Sequence, residues 1–262
     1  MISTVFTKTL WDFRRGLLGW GLGVALTVGL MAALWPSLAG VDYDALLSQY
    51  PDALKDLFNI RDMGTGWGFL NAELFSIVLP AMFIVFAVSR GARLVAGEEE
   101  EGTLETLVSL PLLRTRLLLE KAAALAVSIV VLGLVLLAAS LVSTTAAGMD
   151  VAVRYQVNGA LSMSLLGVEF GLLSLALSAA TGRRALTVGV GSGLALAAYL
   201  LFLAAGLVEE LRSYRVLSPF YQATRNGPLG QDLPLIALSM PAVGLFAVAI
   251  AIPVFERRDL RV

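Results

Sequence analysis

Residues 90–121 read RGARLVAGEEEEGTLETLVSLPLLRTRLLLEK. This is the one long charged segment that stands between two clearly hydrophobic ones. Four carboxylates, Glu98 to Glu101, lead into Gly102-Thr103, a natural helix start. Thr103 offers an oxygen to a first-turn amide, and Glu105 sits where the positive end of the helix dipole favours an anion. Leu104, Leu107 and Val108 fall at i, i+3 and i+4, which gives the helix one apolar edge. Pro111 disfavours helical geometry at Leu110 and ends it there. Arg114, Arg116 and Lys121 follow, just before another apolar run. The spacing predicts a short amphipathic helix carried by charged arms between two membrane spans. On the residues alone two readings stay open, a solvated charged linker and a docking site.

Working outward, composition sets the class. Of 262 residues, 58% are hydrophobic and 15% charged, with a mean hydropathy of +0.82, whereas a soluble domain carries about 25% charged residues. The chain reads as an all-α integral membrane protein with six transmembrane helices. It has no Cys and no His, which excludes disulfides, thiolate and imidazole chemistry, and the commonest zinc sites.

Residues 3–15 are amphipathic: Val5, Phe6, Thr9, Leu10 and Phe13 share one helical face, and Lys8, Asp12 and Arg15 the other. Such a segment is expected to lie in the membrane interface. The expected spans follow at about 16–35, 67–89, 122–144, 158–180, 185–207 and 234–255, in one transmembrane domain covering 1–262, each near the ~20 residues a bilayer core requires. The loop 90–121 joins spans 2 and 3.

Arg and Lys set the orientation. One set of connecting segments holds Lys8, Arg14, Arg15, Arg90, Arg93, Arg114, Arg116, Lys121, Arg183, Arg184, Arg257, Arg258 and Arg261, thirteen in all. The alternating set holds six: Lys55, Arg61, Arg154, Arg212, Arg215 and Arg225. The bias predicts that both termini and the 90–121 loop are cytoplasmic.

The string GEEEEGTLETLVSLPLLR resembles the signature loop of ABC-2 transporter permeases, whose usual form is an acidic stretch, Gly-Thr-Leu-Glu, a few apolar residues, Ser-x-Pro and an Arg. A weaker resemblance extends over nearly the whole chain, including Thr181-Gly182-Arg183-Arg184, Ser218-Pro219-Phe220 and Phe255-Glu256-Arg257-Arg258-Asp259. The resemblance implies a cytoplasmic coupling helix that docks on a separate ATP-binding subunit. It carries ATPase coupling onto Glu98, Glu101, Gly102, Thr103, Leu104, Glu105, Leu107, Val108, Pro111 and Arg114. Arg183 and Arg184 are a second candidate contact or plain positive-inside anchors. Many relatives carry a basic residue within the acidic run, a departure here at Glu98–Glu101.

A P-loop needs Gly-x-x-x-x-Gly-Lys-Ser/Thr, and none of Lys8, Lys55 and Lys121 follows a glycine. The resemblance therefore implies a transport subunit of an exporter in a bacterial inner membrane, not an enzyme, with ATP and Mg on the partner. Six spans are half of the usual membrane domain, so two ATP-binding subunits and a second permease copy or paralogue are expected, with lipid around them and no nucleic acid. No catalytic, cofactor-binding or metal residue is assigned in this chain. Glu169, inside the fourth span, and Glu73, near the outer end of the second, are candidates for a substrate path; a structural hydrogen bond and snorkelling to headgroups are the alternatives. Two other classes stay open: a secondary transporter with Glu169 as ion carrier, and a non-transporting anchor coupling an ATPase to an extracellular assembly. The spacings of Gly19/Gly23, Gly167/Gly171 and Gly189/Gly193 suit close helix approach.

Overall fold

The computed structural model describes residues 4–104, 113–225 and 227–259. Among these, every regular element is helical, and six helices are long and apolar enough to cross a membrane. They are span 1 (Val5–Leu38), span 2 (Val78–Glu100), span 3 (Arg114–Ala146), span 4 (Val153–Thr181), span 5 (Arg184–Leu207) and span 6 (Leu235–Arg257).

Span 4 is the axis of the bundle. About 78% of its most apolar window is buried, against 22% for spans 1 and 5. Spans 2, 3 and 6 pack on it, span 5 rests against spans 2 and 4, and span 1 lies along span 3. Small residues let span 4 be approached closely. A Cβ on Gly167 or Gly171 would meet Ile129 of span 3 at 2.9 or 3.0 Å, and one on Gly91 of span 2 would meet the Gly171 carbonyl at 2.5 Å. Gly19, Gly189 and Gly193 instead face open space, so only the Gly167/Gly171 spacing is used for packing inside this chain.

Three expected boundaries are corrected. The helix expected over 3–15 is continuous with span 1 among the described residues, running unbroken from Val5 to Leu38. Nothing between Arg15 and Leu17 breaks it. Gly16 makes room instead, since a Cβ there would stand 1.9 Å from the Arg90 guanidinium. Of the expected apolar face, Val5, Thr9 and Phe13 are buried.

The expected second span, 67–89, is broken at the end away from the acidic run. A short helix Gly66–Leu70 widens into a π turn, Asn71–Phe75, and the backbone leaves helical geometry at Ile77 before restarting at Val78. Pro80 explains the break: it has no amide for the Ser76 carbonyl, and its ring crowds that carbonyl. At its other end the span continues to Glu100 through a second π turn, Arg93–Gly97. The acidic run is thus largely the last turn of span 2, and span 3 is already helical at Arg114. The expected 32-residue loop shrinks accordingly.

At the end opposite the acidic run lie the short helices Tyr43–Leu47 and Asp52–Leu57, the 3-10 helix Glu209–Leu217 and the helix Pro219–Thr224. A hydrogen bond from the Arg61 guanidinium holds the Asp56 carboxyl below the usual carboxylate range. Buried Asn71 anchors this end, accepting from the Leu229 amide at 3.1 Å.

Candidate functional site

The base of the signature segment is built by span 2 and the chain ends around it. Helical geometry would send the Ala96 amide to the Ala92 carbonyl. Instead the buried Ser178 hydroxyl of span 4 stands between them, accepting from Ala96 N at 2.8 Å and donating to Ala92 O at 3.0 Å. A side chain inserted into the ladder opens it into a π turn, and this turn re-aims the residues that follow.

Those residues are the four carboxylates, and each has a partner in this chain. Glu98 pairs with Lys121 of span 3, which is fully buried and also donates to the Leu94 carbonyl. Glu99 pairs with Arg258 beyond span 6. Glu100 accepts from the backbone amide of Arg184, the first residue of the span 5 helix, at 3.0 Å. Glu101 pairs with Arg93 at 3.4 Å, half exposed. Each carboxylate of the acidic face thus has a partner within the molecule, while Glu100 and Glu101 stay exposed.

The run ends in a Schellman cap. Gly102 has φ +69°, its amide bonds to Glu99 O at 3.1 Å, and the Thr103 amide bonds to Glu98 O at 2.9 Å. Satisfying two last-turn carbonyls in this way closes a helix. The Thr103 hydroxyl donates back to Glu98 O at 3.2 Å. Gly102 and Thr103 therefore finish span 2, besides preceding the next helical residue, Leu104. Leu104 is 1% exposed and belongs to this chain's own core, so its side chain faces the bundle. Glu105, Leu107, Val108 and Pro111 lie outside the described residues.

Across the gap, Arg114 serves the last span. Its guanidinium donates to the carbonyls of Phe255, Glu256 and Arg258 at 3.0, 3.3 and 2.7 Å, and Thr115 bonds the Glu256 carboxylate. Glu120 accepts from the Phe6 amide at 3.1 Å, in the first turn of span 1. A single electrostatic pattern results. The positive ends of spans 1 and 5 each receive a carboxylate, and the negative end of span 6 receives a guanidinium, all from residues 98–120. A charge that complements a helix end contributes about 0.3–1 kcal/mol when exposed, and up to ~2 when partly buried.

Gly182 lets this assembly close. It caps span 4 in the left-handed region, φ +61°, and a Cβ there would stand 1.8 Å from the Arg258 guanidinium and 2.7 Å from a Glu99 carboxylate oxygen. The Arg183 and Arg184 side chains are exposed beside it, and among the described residues neither forms an ion pair.

The geometry thus centres on a segment whose ends are tied to spans 1, 3, 5 and 6. The family profile described as ABC-2 family transporter protein matches residues 3–260. The chain belongs to the ABC-2 transporter family.

No curated protein matches the sequence at a significant level. As an ABC-2 family member the chain is a permease component of an ABC transporter and a multi-pass membrane protein. The ABC-2 signature residues Glu98, Glu101, Gly102, Thr103, Leu104 and Arg114 all lie at one end of this permease, with the Arg183-Arg184 turn. The substrate-path candidates are not brought together. Glu169 is 5% exposed within span 4, with one carboxylate oxygen lacking a hydrogen-bond partner among the described residues, and Glu73 is exposed in the π turn Asn71–Phe75. Sequence reading missed Lys121, Glu120, Ser178 and Arg258 as parts of the site. The lone lysine at the mouth of an apolar run was the available signal; for Ser178, an ordinary span serine, no local signal existed.

Proposed function

We propose that this permease is one half of the membrane domain of an ATP-driven exporter, with hydrolysis of ATP in separate ATP-binding subunits that dock on the segment between Gly102 and Arg114. The carrying observation is the set of ties at the base of that segment. Glu98, Glu99, Glu100 and Arg114 connect it to span 3, to the tail after span 6, to the start of span 5 and to the end of span 6. A push delivered to the segment would be shared by those helices and not absorbed by a flexible loop. Nucleotide-driven closure of two ATP-binding subunits would tilt the tied spans and open a path outward.

The thirteen-to-six basic bias supports placing this end, with both termini, in the cytoplasm of a bacterial cell. Large apolar residues on the outer faces of spans 1, 5 and 6, such as Leu22, Leu200 and Phe246, suit lipid and a second permease copy or a paralogue. Affinity purification of the tagged permease from its native membrane tests the reading: an ATP-binding subunit should co-elute in equal stoichiometry, and its absence overturns the proposal.

The unpartnered Glu169 oxygen favours one rival, an ion-coupled secondary transporter. Transport that survives ATP depletion and collapses with the proton gradient would decide for the rival.

A further inference from the structure

At the end of the bundle opposite the acidic run, three arginines converge on one cavity. Arg212 and Arg215 come from the 3-10 helix after span 5, and Arg225 follows the helix Pro219–Thr224. All three line a cavity of about 480 Å³, within the ~300–1,000 Å³ typical of ligand sites. Arg215 and Arg225 stand over the same ring, that of Tyr221, with guanidinium carbons 4.8 and 5.6 Å from its centroid. Tyr221 is 7% exposed, so its ring is a fixed platform within reach of both guanidinium groups.

That arrangement is costly unless an anion balances it. Two carboxylates line the same cavity, Asp56 and Glu209. Asp56 is already held by Arg61, and the Arg212 charge acts on it more weakly. Among the described residues, none of the three arginines forms an ion pair. The cavity's other wall is apolar: Leu57, Phe202 and Ala205 are buried, and Leu207 and Val208 are exposed at the end of span 5. Half of this end's basic residues are thus gathered where a charged surface meets the apolar end of a membrane span.

We propose that this cavity binds the phosphodiester headgroup of an anionic lipid in the adjoining leaflet. Guanidinium forks match phosphate oxygens in geometry and charge. The apolar wall takes the glycerol and the first carbons of the acyl chains, which a free phosphate would leave unused. A zwitterionic headgroup carries the same phosphate but would bring an ammonium among the arginines. The ligand is therefore anionic phosphatidylglycerol-like lipid, read by charge and by its apolar start together. The proposal does not depend on the exporter reading, because it concerns the opposite end of the bundle.

The test uses the full-length detergent-purified permease titrated by calorimetry with dihexanoyl phosphatidylglycerol, dihexanoyl phosphatidylcholine and inorganic phosphate. Saturable binding of phosphatidylglycerol is expected, with phosphatidylcholine weaker by on the order of tenfold or more, as repulsion between its ammonium and a nearby guanidinium implies. The double variant Arg215→Gln/Arg225→Gln should lose the preference. Arg215→Lys/Arg225→Lys should retain part of it, and an unchanged melting midpoint shows that both variants fold. Equal affinity for inorganic phosphate would make a soluble anion the ligand and overturn the lipid assignment. Equal binding of the two lipids, no binding of either, or an unaffected glutamine variant would overturn the site.

Discussion

The Glu99 carboxylate and the Arg258 guanidinium, 159 residues apart in sequence, form an ion pair beside Gly182, at the base of the signature segment. The pair joins the end of span 2 to the tail beyond span 6, and the turn between spans 4 and 5 closes over it. Gly182→Ala should open it. The substitution forces an alanine into φ +61° and drives a methyl group into Arg258. A cost above about 1 kcal/mol is expected, read as a lowered thermal midpoint that is smaller when Arg258→Ala has already removed the guanidinium. An equal loss with and without Arg258 would show that the pair does not need the glycine.

Lys121 is fully buried and answered by Glu98. Removing one partner of such a pair costs about 3–5 kcal/mol, because the other charge is left uncompensated. Lys121→Met and Glu98→Gln should each lower the thermal midpoint strongly, and the double variant should recover much of the loss. Additive losses in the double variant would mean that the two residues act independently.

The Ser178 hydroxyl bridges Ala92 O and Ala96 N. Ser178→Ala leaves a buried amide unpaired unless the π turn tightens into an α turn, at a cost of about 1–3 kcal/mol. Faster amide exchange confined to residues 92–100 is the expected signature. An unchanged exchange pattern there would remove the serine from the account.

How far the sequence anticipates this structure depends on the range of the interaction. Apolar runs and basic bias are local, so six spans were legible, and the predicted fifth span, 185–207, nearly coincides with the helix Arg184–Leu207. Pro80 was visible inside an expected span, yet the break falls at Ile77 because the missing amide acts one turn earlier. The acidic run was read by its neighbours in sequence, of which only Arg93 is a partner; Lys121, Arg184 and Arg258 come from further along the chain. The family signature singled out the segment as a whole. It did not show that Leu104 would face this chain's own core or that Arg114 would cap span 6, since both follow from tertiary packing.

Sidedness has its own test. Single cysteines at Ser109 and Ser213 should label from opposite sides of intact cells, with Ser213 outside. Labelling of both from one side would contradict the arrangement in which the signature segment faces the nucleotide pool.

The central claim is that the segment between Gly102 and Arg114 is where an ATP-binding subunit engages the permease. Leu107 lies on the apolar edge read from the sequence. A helix of under three turns is marginal in water by itself, so that edge needs a surface to pack against. Burial of one leucine contributes about 1.5–3 kcal/mol, which an aspartate would lose. The deciding measurement is co-purification of the ATP-binding subunit with the Leu107→Asp permease, alongside its ATP hydrolysis. The variant should insert with a wild-type melting midpoint, yet bring down no ATP-binding subunit and stimulate no hydrolysis. Retained co-purification with unchanged hydrolysis would contradict the account.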